Sequence, residues 1–345
     1  MKNNIALLKE KGNLDNEALR ELLLTDDPEM VSSLYAAARE VQQSVYGRKV
    51  YIRGLIEVSS YCKNNCYYCG IRCENHHADR YRLSDDAILE CCDTGYDAGF
   101  RTFVLQGGED RYFNDDRLEK LIRTIKERYP DTAVTLSLGE RSKESYQRLY
   151  DAGADRYLLR HETSNGAHYR KLHPKNLSLE HRLDCLKDLK EIGYQVGCGM
   201  MVGSPYQTLE HLLEDLRFLQ KFQPHMVGIG PFLPHKDTPF GDRAPGSAEM
   251  TLRLLAIIRL MLPRVLLPAT TALATAEEDG RERGILAGAN VVMPNLSPAD
   301  VRTKYMLYDN KRSFGSEAAE CLDLLRASME KIGYEVVTDR GDYIN

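Results

Sequence analysis

The sequence predicts an α/β protein built as an eight-stranded (β/α)₈ barrel of the TIM type, and two observations carry this prediction. After residue 50, short runs rich in β-branched and aromatic residues alternate with segments of helical periodicity. Eight such strand–helix units fit into about 240 residues, which is the size of a closed barrel. An open doubly wound sheet is the main alternative, because strand order cannot be read from the sequence.

The predicted elements follow one another in a regular order. The strand runs are 51–58, 102–106, 132–138, 156–160, 194–202, 225–231, 265–270 and 289–293. Helical patterns lie at about 84–98, 114–128, 142–152, 177–191, 207–222, 247–262 and 277–287. Ser84, Asn114 and Ser142 are the predicted N-caps of three of these helices. We therefore expect an N-terminal helical extension (1–47), the barrel (48–295) and a C-terminal tail packed on it (296–345).

Composition restricts the function classes. The chain has 345 residues and a net charge of −5, without the basic surplus typical of nucleic-acid binding. Arg259 and Pro263 interrupt the longest apolar stretch, so we expect no membrane span. The first residues lack the apolar core of a signal peptide, which favours a cytoplasmic location. Nine cysteines, an odd number with four of them clustered, favour a metal site over a disulfide framework.

Polar residues and glycines follow nearly every predicted strand. In a barrel these positions meet at one mouth, where catalytic groups lie. They include Gln106-Gly107-Gly108-Glu109, Ser137-Leu138-Gly139-Glu140, Arg160-His161-Glu162, Met201-Val202-Gly203 and Thr270-Thr271. This convergence predicts an active site at that mouth.

The first strand is followed by SSYCKNNCYYCGIRC, residues 59–73. Cys62, Cys66 and Cys69 have the spacing C-x₃-C-x₂-C, which can wrap a 4Fe–4S cluster and leave one iron without a protein ligand. Tyr68 is placed to shield such a cluster. The alternative is a structural zinc site formed by Cys66, Cys69, Cys73 and either His76 or His77. We interpret Cys91, Cys92, Cys185 and Cys198 as small core residues.

The three-cysteine loop after the first strand resembles that of the radical S-adenosylmethionine (SAM) superfamily. Gly107-Gly108-Glu109 is similar to the superfamily motif that binds the methionine amino group of SAM. Val202-Gly203, with Met201 before it, is similar to the backbone motif on the adenine side.

Within that superfamily, longer stretches resemble the HydE family of FeFe-hydrogenase maturases. GLIEVSSYCKNNCYYCG, VLQGGED, VTLSLGE, GADRYLLRHET and MVGIGPFLPHKDTP carry the resemblance, which runs from about residue 30 to 310. Biotin synthase and methylornithine synthase belong to the same branch. The latter shares the YCKN, Cys73 and RYRLS features, so these do not discriminate between the two.

The resemblance implies roles for particular residues. Cys62, Cys66 and Cys69 are expected to bind one 4Fe–4S cluster, with Cys73 as the spare cysteine. SAM is expected to contact Tyr68, Gly107, Gly108, Glu109, Ser137, Glu162, Arg182 and Met201. A substrate cavity below SAM is expected to be lined by Arg160, His161, Thr270, Thr271, Tyr305 and Tyr308.

Purely structural interpretations of the same residues remain open. Arg182 lies in a helical pattern and fits a surface arginine, and Glu162 fits a buried ion pair with Arg160. A Thr270-Thr271 pair at a strand end is also ordinary in a barrel. Some HydE members carry a second cluster near the C-terminus, but only Cys321 remains in that stretch here. We therefore predict a single cluster.

The implied activity is reductive cleavage of SAM to a 5′-deoxyadenosyl radical. That radical would act on a sulfur-containing precursor, a cysteine-bound iron carbonyl–cyanide complex, during hydrogenase H-cluster assembly. The implied partners are the maturases HydG and HydF and a one-electron reductant. The nearest alternative is other radical chemistry on a small amino-acid-like substrate, as in methylornithine synthase. A zinc-bound scaffold without enzymatic activity is the non-catalytic alternative.

Overall fold

The computed structural model describes residues 2–344 of the chain. Its helices, α1 to α14, are Lys2–Lys11, Asn16–Leu24, Pro28–Tyr46, Asp85–Asp97, Asp115–Arg128, Lys143–Asp151, Gly166–Leu172, Leu179–Ile192, Leu209–Phe222, Ala248–Met261, Thr271–Ala276, Gly280–Leu286, Ala299–Arg302 and Leu322–Lys331. Its strands, β1 to β11, are Lys49–Ile52, Gly54–Ser59, Thr102–Gly107, Ala133–Ser137, Arg156–Leu158, Gln195–Cys198, Met201–Val202, Met226–Val227, Gly230–Pro231, Val291–Val292 and Glu335–Val337.

A parallel six-stranded sheet forms the centre of the fold. Its order is β2-β3-β4-β5-β6-β8, so neighbouring strands follow in sequence and each is reached through a helical crossover. Smaller parallel sheets have the orders β10-β1-β11 and β7-β9. Single parallel bridges join Met226 to Leu266, Pro268 to Val291 and Leu55 to Asn295. The predicted α/β alternation is confirmed, and the predicted strand 265–270 is present only through such bridges.

The predicted helix starts are confirmed in detail. The side chains of Ser84, Asn114 and Ser142 each accept a hydrogen bond from the backbone N–H three residues later. This satisfies an amide that the first helical turn cannot pair, which is why these residue types are favoured there.

Two differences from the predicted elements have simple causes. Helices α7 and α11 have 7 and 6 residues, which is too short for a periodic apolar pattern to be recognised. The predicted strand 51–58 divides at Arg53 into β1 and β2. The two halves have different partners, since β1 pairs with β10 and β11 whereas β2 pairs with β3.

The carboxyl ends of the central strands carry the loops that matter for function. β2 leads directly into the cysteine segment, and all six of its residues are buried. The segment around 303–311 returns over this loop, where Gly70 donates its backbone N–H to the carbonyl of Leu307 at 2.9 Å. Among residues 2–344, no helix combines the length and apolar character needed to cross a membrane.

Candidate active site

Cys62, Cys66 and Cys69 lie on one loop and are all partly buried, whereas Cys73 is exposed. The backbone N–H of Asn64 points at the Sγ of Cys62, at 3.4 Å. The Cys69 N–H donates to the Cys66 carbonyl at 3.3 Å, which turns the chain between these two cysteines. Three of the four clustered cysteines therefore face inward, and the fourth lies on the outside of the loop.

The three inward thiols are electrostatically unfavourable as free thiolates. Burial raises the pKa of Cys62 and Cys66, and it raises the pKa of Cys69 to about 12. The neighbouring thiols raise these pKa values further, because each thiolate repels the others. A cationic iron centre would remove this penalty, since metal ligation favours the deprotonated sulfur.

A zinc site and an iron–sulfur cluster require different arrangements of the cysteine sulfurs. A tetrahedral zinc site needs thiolates about 4 Å apart, given Zn–S bonds of about 2.3 Å. Within residues 2–344, no three His, Cys, Asp or Glu side chains come together as a single metal ion requires. In a 4Fe–4S cluster each cysteine binds a different iron, so its ligands are more widely spread. Cys62, Cys66 and Cys69 supply the three inward thiols that a 4Fe–4S cluster with one open iron requires.

Gly108 lies directly against the cysteine loop. A Cβ at this position would be 2.6 Å from the Cβ of Cys62 and 2.3 Å from the carbonyl oxygen of Tyr61, so only glycine fits without a shift. At Gly107 the nearest atom would be 3.3 Å away. The backbone after β3 is thus held in contact with the first cysteine.

Glu109 connects three of the loops at the strand ends. Its backbone carbonyl accepts from the Lys63 N–H at 3.0 Å, and its carboxylate pairs with the Lys63 ammonium at 3.0 Å. The other carboxylate oxygen accepts from the backbone N–H of Glu140 at 2.9 Å. Glu109 therefore fixes the loops after β2, β3 and β4 relative to one another. Ser137, the last residue of β4, pairs with Gln106 of β3 and is partly buried beside them.

Glu162 is buried just after β5, at a backbone φ of 65°. Its carboxylate lies 3.1 Å from the guanidinium of Arg160, which is the ion pair that the sequence offered as an alternative. Neither Glu162 Oε2 nor the facing Arg160 Nη2 has an aligned hydrogen-bond partner in the described chain. The pair therefore retains hydrogen-bonding capacity for a polar ligand.

The reading of Arg182 as a surface arginine is wrong, because its side chain is only 11% exposed. Its Nε donates to Glu140 at 2.5 Å, and Nη1 donates to the carbonyl of Arg160 at 3.1 Å. Burial by itself would lower the pKa of Arg182, but the Glu140 carboxylate reverses this effect and the pKa is raised. A permanently charged guanidinium is thus aimed at the strand ends from α8.

Tyr68 and Met201 belong to one apolar cluster. Met201 is buried with Leu172, Phe232 and Phe240, and Tyr68 packs against this group. The Tyr68 hydroxyl contacts His173 Nε2 at 3.1 Å. The Tyr68 ring is therefore held in one orientation by these apolar contacts and by the contact of its hydroxyl with His173.

The structure brings together only part of the predicted cavity lining. Tyr305 is buried, and the ordinary pKa of its hydroxyl is raised by that burial and by the Glu57 carboxylate. Tyr308 is partly buried, and that burial raises the pKa of its hydroxyl, although Thr275 and Arg160 oppose the rise. Thr270 donates to the Ile229 carbonyl at 3.2 Å. Thr271 donates to Glu317 at 3.0 Å, so both threonine hydroxyls have protein partners.

His161 lies elsewhere, and its contacts do not support a place in the cavity. It is fully buried, its ring centroid is 4.6 Å from that of Phe218, and its Nε2 is 3.3 Å from Asp215. Both partners belong to helix α9. These contacts direct the His161 ring toward α9, whereas Arg160 and Glu162 pair with each other.

Two groups of residues were missed by the sequence analysis. Glu57 and Lys311 form a buried ion pair, and the Lys311 ammonium also donates to the Tyr305 carbonyl at 3.0 Å. Tyr169, from the unpredicted helix α7, is 1% exposed, yet its hydroxyl has no partner among the described residues. Its ring stacks on His173 at 3.9 Å. A single buried glutamate in an apolar run, GLIEVS, was the one available signal for Glu57.

Comparison with known proteins shows to which class of protein this fold and site belong. The family model described as the radical SAM superfamily matches residues 56–219. The structure is similar to that of methylornithine synthase (PylB), with a TM-score of 0.87, 29% identity and 97% of each chain covered. The fold and the three-cysteine loop are therefore those of a radical SAM protein.

Sequence relatives narrow the assignment. The chain is 42% identical to the [FeFe] hydrogenase maturase subunit HydE of Thermotoga maritima, over 96% of this chain and 94% of that protein. It is 33% identical to the 3-methylornithine synthase of Methanosarcina barkeri, over 82% and 80%. The chain belongs to the HydE family of radical SAM proteins.

Proposed function

We propose that this chain holds one 4Fe–4S cluster on Cys62, Cys66 and Cys69 and binds SAM at the cluster's open iron, in the service of FeFe-hydrogenase maturation. The main observation that supports this proposal is the close packing of Gly108 on Cys62. This packing brings the backbone after β3 against the cysteine loop. When bound, the cluster supplies the electron that splits SAM into methionine and a 5′-deoxyadenosyl radical.

The residues of this chain would bind and orient SAM beside the cluster. Arg182 offers a buried cation for the methionine carboxylate, and its contact with Glu140 holds it in place. Glu162 accepts from the ribose hydroxyls, for which its unpaired oxygen is suited. Glu109 and Ser137 lie on the adjoining loops. Tyr68 and Met201 provide the apolar face that keeps water from the nucleoside.

We further propose that the central sheet closes into an eight-stranded barrel. The bridges at Leu266, Val291 and Asn295 support this, because they link β8 back to β2 through two more extended segments. The division into an extension (1–47), a barrel (48–295) and a tail (296–345) is part of the same proposal. β11 pairs with β1, which supports a tail packed on the barrel.

The proposed substrate is the sulfur-containing, cysteine-bound iron carbonyl–cyanide precursor. In the same proposal, HydG supplies this substrate, HydF is a further partner and a one-electron reductant reduces the cluster. Arg160, Tyr305, Tyr308 and the Glu57–Lys311 pair would face it. A single cluster and a cytoplasmic location are further parts of the proposal. A second candidate, radical chemistry on an amino-acid-like substrate, is favoured by the 0.87 TM-score to methylornithine synthase.

A maturation assay tests the proposal. The reconstituted chain is added, in place of HydE, to HydF, HydG and an unmatured FeFe-hydrogenase, and hydrogen evolution is measured. We expect activity that requires SAM and disappears in Cys66→Ser. No hydrogenase activity, together with formation of 3-methylornithine from an amino-acid substrate, would instead support the second candidate.

A further inference from the structure

His161 and Asp215 form a fully buried polar contact that the proposed mechanism does not use. Both side chains have an exposed fraction of 0%, and Nε2 of His161 lies 3.3 Å from Oδ1 of Asp215. Burying these groups is costly unless they make compensating contacts. The pair joins the segment just after β5 to helix α9.

The hydrogen bonds define which imidazole nitrogen carries the proton. The backbone N–H of Gly199 points at Nδ1 of His161 at 3.3 Å. A backbone amide can only donate, so Nδ1 accepts, and Nε2 faces Asp215 at 3.3 Å without an aligned hydrogen bond among the described residues. The same Asp215 oxygen accepts from the backbone N–H of Ser164 at 2.5 Å. One carboxylate oxygen therefore contacts the chain on both sides of Glu162.

Glu162 needs such support because of its backbone conformation. Its φ of 65° lies in the left-handed region, which costs a non-glycine residue on the order of 1–3 kcal/mol and persists only when the surroundings enforce it. Its N–H donates to the Gly199 carbonyl at 3.0 Å, and its carbonyl accepts from Met201 at 3.3 Å. The Asp215 contacts fix the two flanking positions, 161 and 164.

We propose that His161 and Asp215 are positioning residues that hold Glu162 in this conformation and so orient its carboxylate toward the ribose of SAM. The inference rests on the proposed function, in which Glu162 binds SAM. In this arrangement His161 and the buried Asp215 of α9 set the affinity of a ligand bound at Glu162, although neither residue touches that ligand.

The test measures SAM affinity in the anaerobically reconstituted holoprotein, from the change in the EPR spectrum of the reduced cluster as SAM is added. Asp215→Ala is compared with Leu212→Ala, which removes a buried side chain from the same helix and leaves Asp215 and His161 in place. Asp215→Ala, His161→Phe and Leu212→Ala are also each made in a Glu162→Gln background. Asp215→Asn is the milder variant, because it retains an acceptor for Ser164, and His161→Phe removes the contact with Asp215 while it keeps a ring against Phe218.

We expect Asp215→Ala and His161→Phe to raise the apparent Kd for SAM about tenfold, and Asp215→Asn to raise it less. In the Glu162→Gln background these changes should have no further effect, because the group they orient is gone. Leu212→Ala should lower the melting temperature and leave the Kd unchanged. Unchanged affinity in the Asp215 and His161 variants, or effects that add to Glu162→Gln, would overturn the inference. A wild-type protein whose EPR spectrum does not respond to SAM would instead overturn the proposed function.

Discussion

Gly108 and Cys62 are in such close contact that a single methyl group on residue 108 would lie 2.6 Å from the Cβ of the cysteine. Real Cβ atoms do not approach one another this closely, so the loop after β3 and the cysteine loop have to be shaped together. The contact makes the backbone of residues 107–109 part of the wall around the proposed cluster.

Replacing Gly108 by alanine should displace Cys62 and weaken SAM binding. Overpacking of this kind costs about 1–3 kcal/mol, and we expect at least a tenfold loss in the rate of SAM cleavage at limiting SAM. The matched control is Gly107→Ala, whose Cβ would have its nearest neighbour at 3.3 Å and needs only a slight adjustment. Equal rates of SAM cleavage in the two variants would show that the contact between residue 108 and Cys62 does not affect activity.

Serine replacements should separate the spare cysteine from the ligands. Cys73 is exposed, so Cys73→Ser should retain the full iron content after reconstitution. Cys62→Ser, Cys66→Ser and Cys69→Ser should each lose most of the iron and the brown absorbance, because three thiolates are the minimum set. Loss of iron from Cys73→Ser would reassign the ligands.

Local signals in the sequence predicted the helix caps and the strand ends that carry this site, whereas they did not predict the direction of individual side chains. The helix caps and the strand ends follow from residue type and periodicity. The cysteine spacing favours a 4Fe–4S cluster as the metal centre. His161 and Arg182 could not be oriented in the same way. The His161 ring lies against Phe218 and Asp215 of α9, and the Arg182 guanidinium reaches from α8 to pair with Glu140. Such directions depend on packing between elements that are distant in sequence, as does the Glu57–Lys311 pair.

Tyr169 should contribute a hydrogen bond to a bound ligand. Its hydroxyl is buried without a partner in the described chain, which costs about 1–3 kcal/mol unless a ligand or water pairs with it. Tyr169→Phe keeps the ring stacked on His173 and should weaken SAM binding by about five- to tenfold. Tyr46→Phe, whose hydroxyl already donates to the Arg264 carbonyl, is the control and should leave SAM affinity unchanged. Titrating SAM against the reduced holoprotein measures both, and equal affinities in wild type and Tyr169→Phe would exclude a ligand contact.

His173 should make the fold acid-sensitive. Burial lowers the pKa of His173 to about 3, so the unfolded chain takes up a proton below about pH 6.5 while the folded chain does not. The stabilisation is complete above pH 6.5 and is lost as the pH falls toward 3, at about 1.4 kcal/mol per pH unit. Urea unfolding of the cluster-free protein between pH 5 and 7 measures this dependence. His173→Phe should flatten it, and replacing the exposed His76 by glutamine should not; an unaltered slope in His173→Phe would contradict the assignment.

The most direct test of the account is whether the reconstituted protein cleaves SAM. The chain is loaded with iron and sulfide under anaerobic conditions and reduced, and 5′-deoxyadenosine is then quantified by chromatography with and without SAM. We predict about four irons per chain for one 4Fe–4S cluster, an EPR spectrum that changes when SAM is added, and 5′-deoxyadenosine that is absent from Cys66→Ser. A protein that binds its iron but shows no spectral response to SAM and forms no 5′-deoxyadenosine would contradict the account.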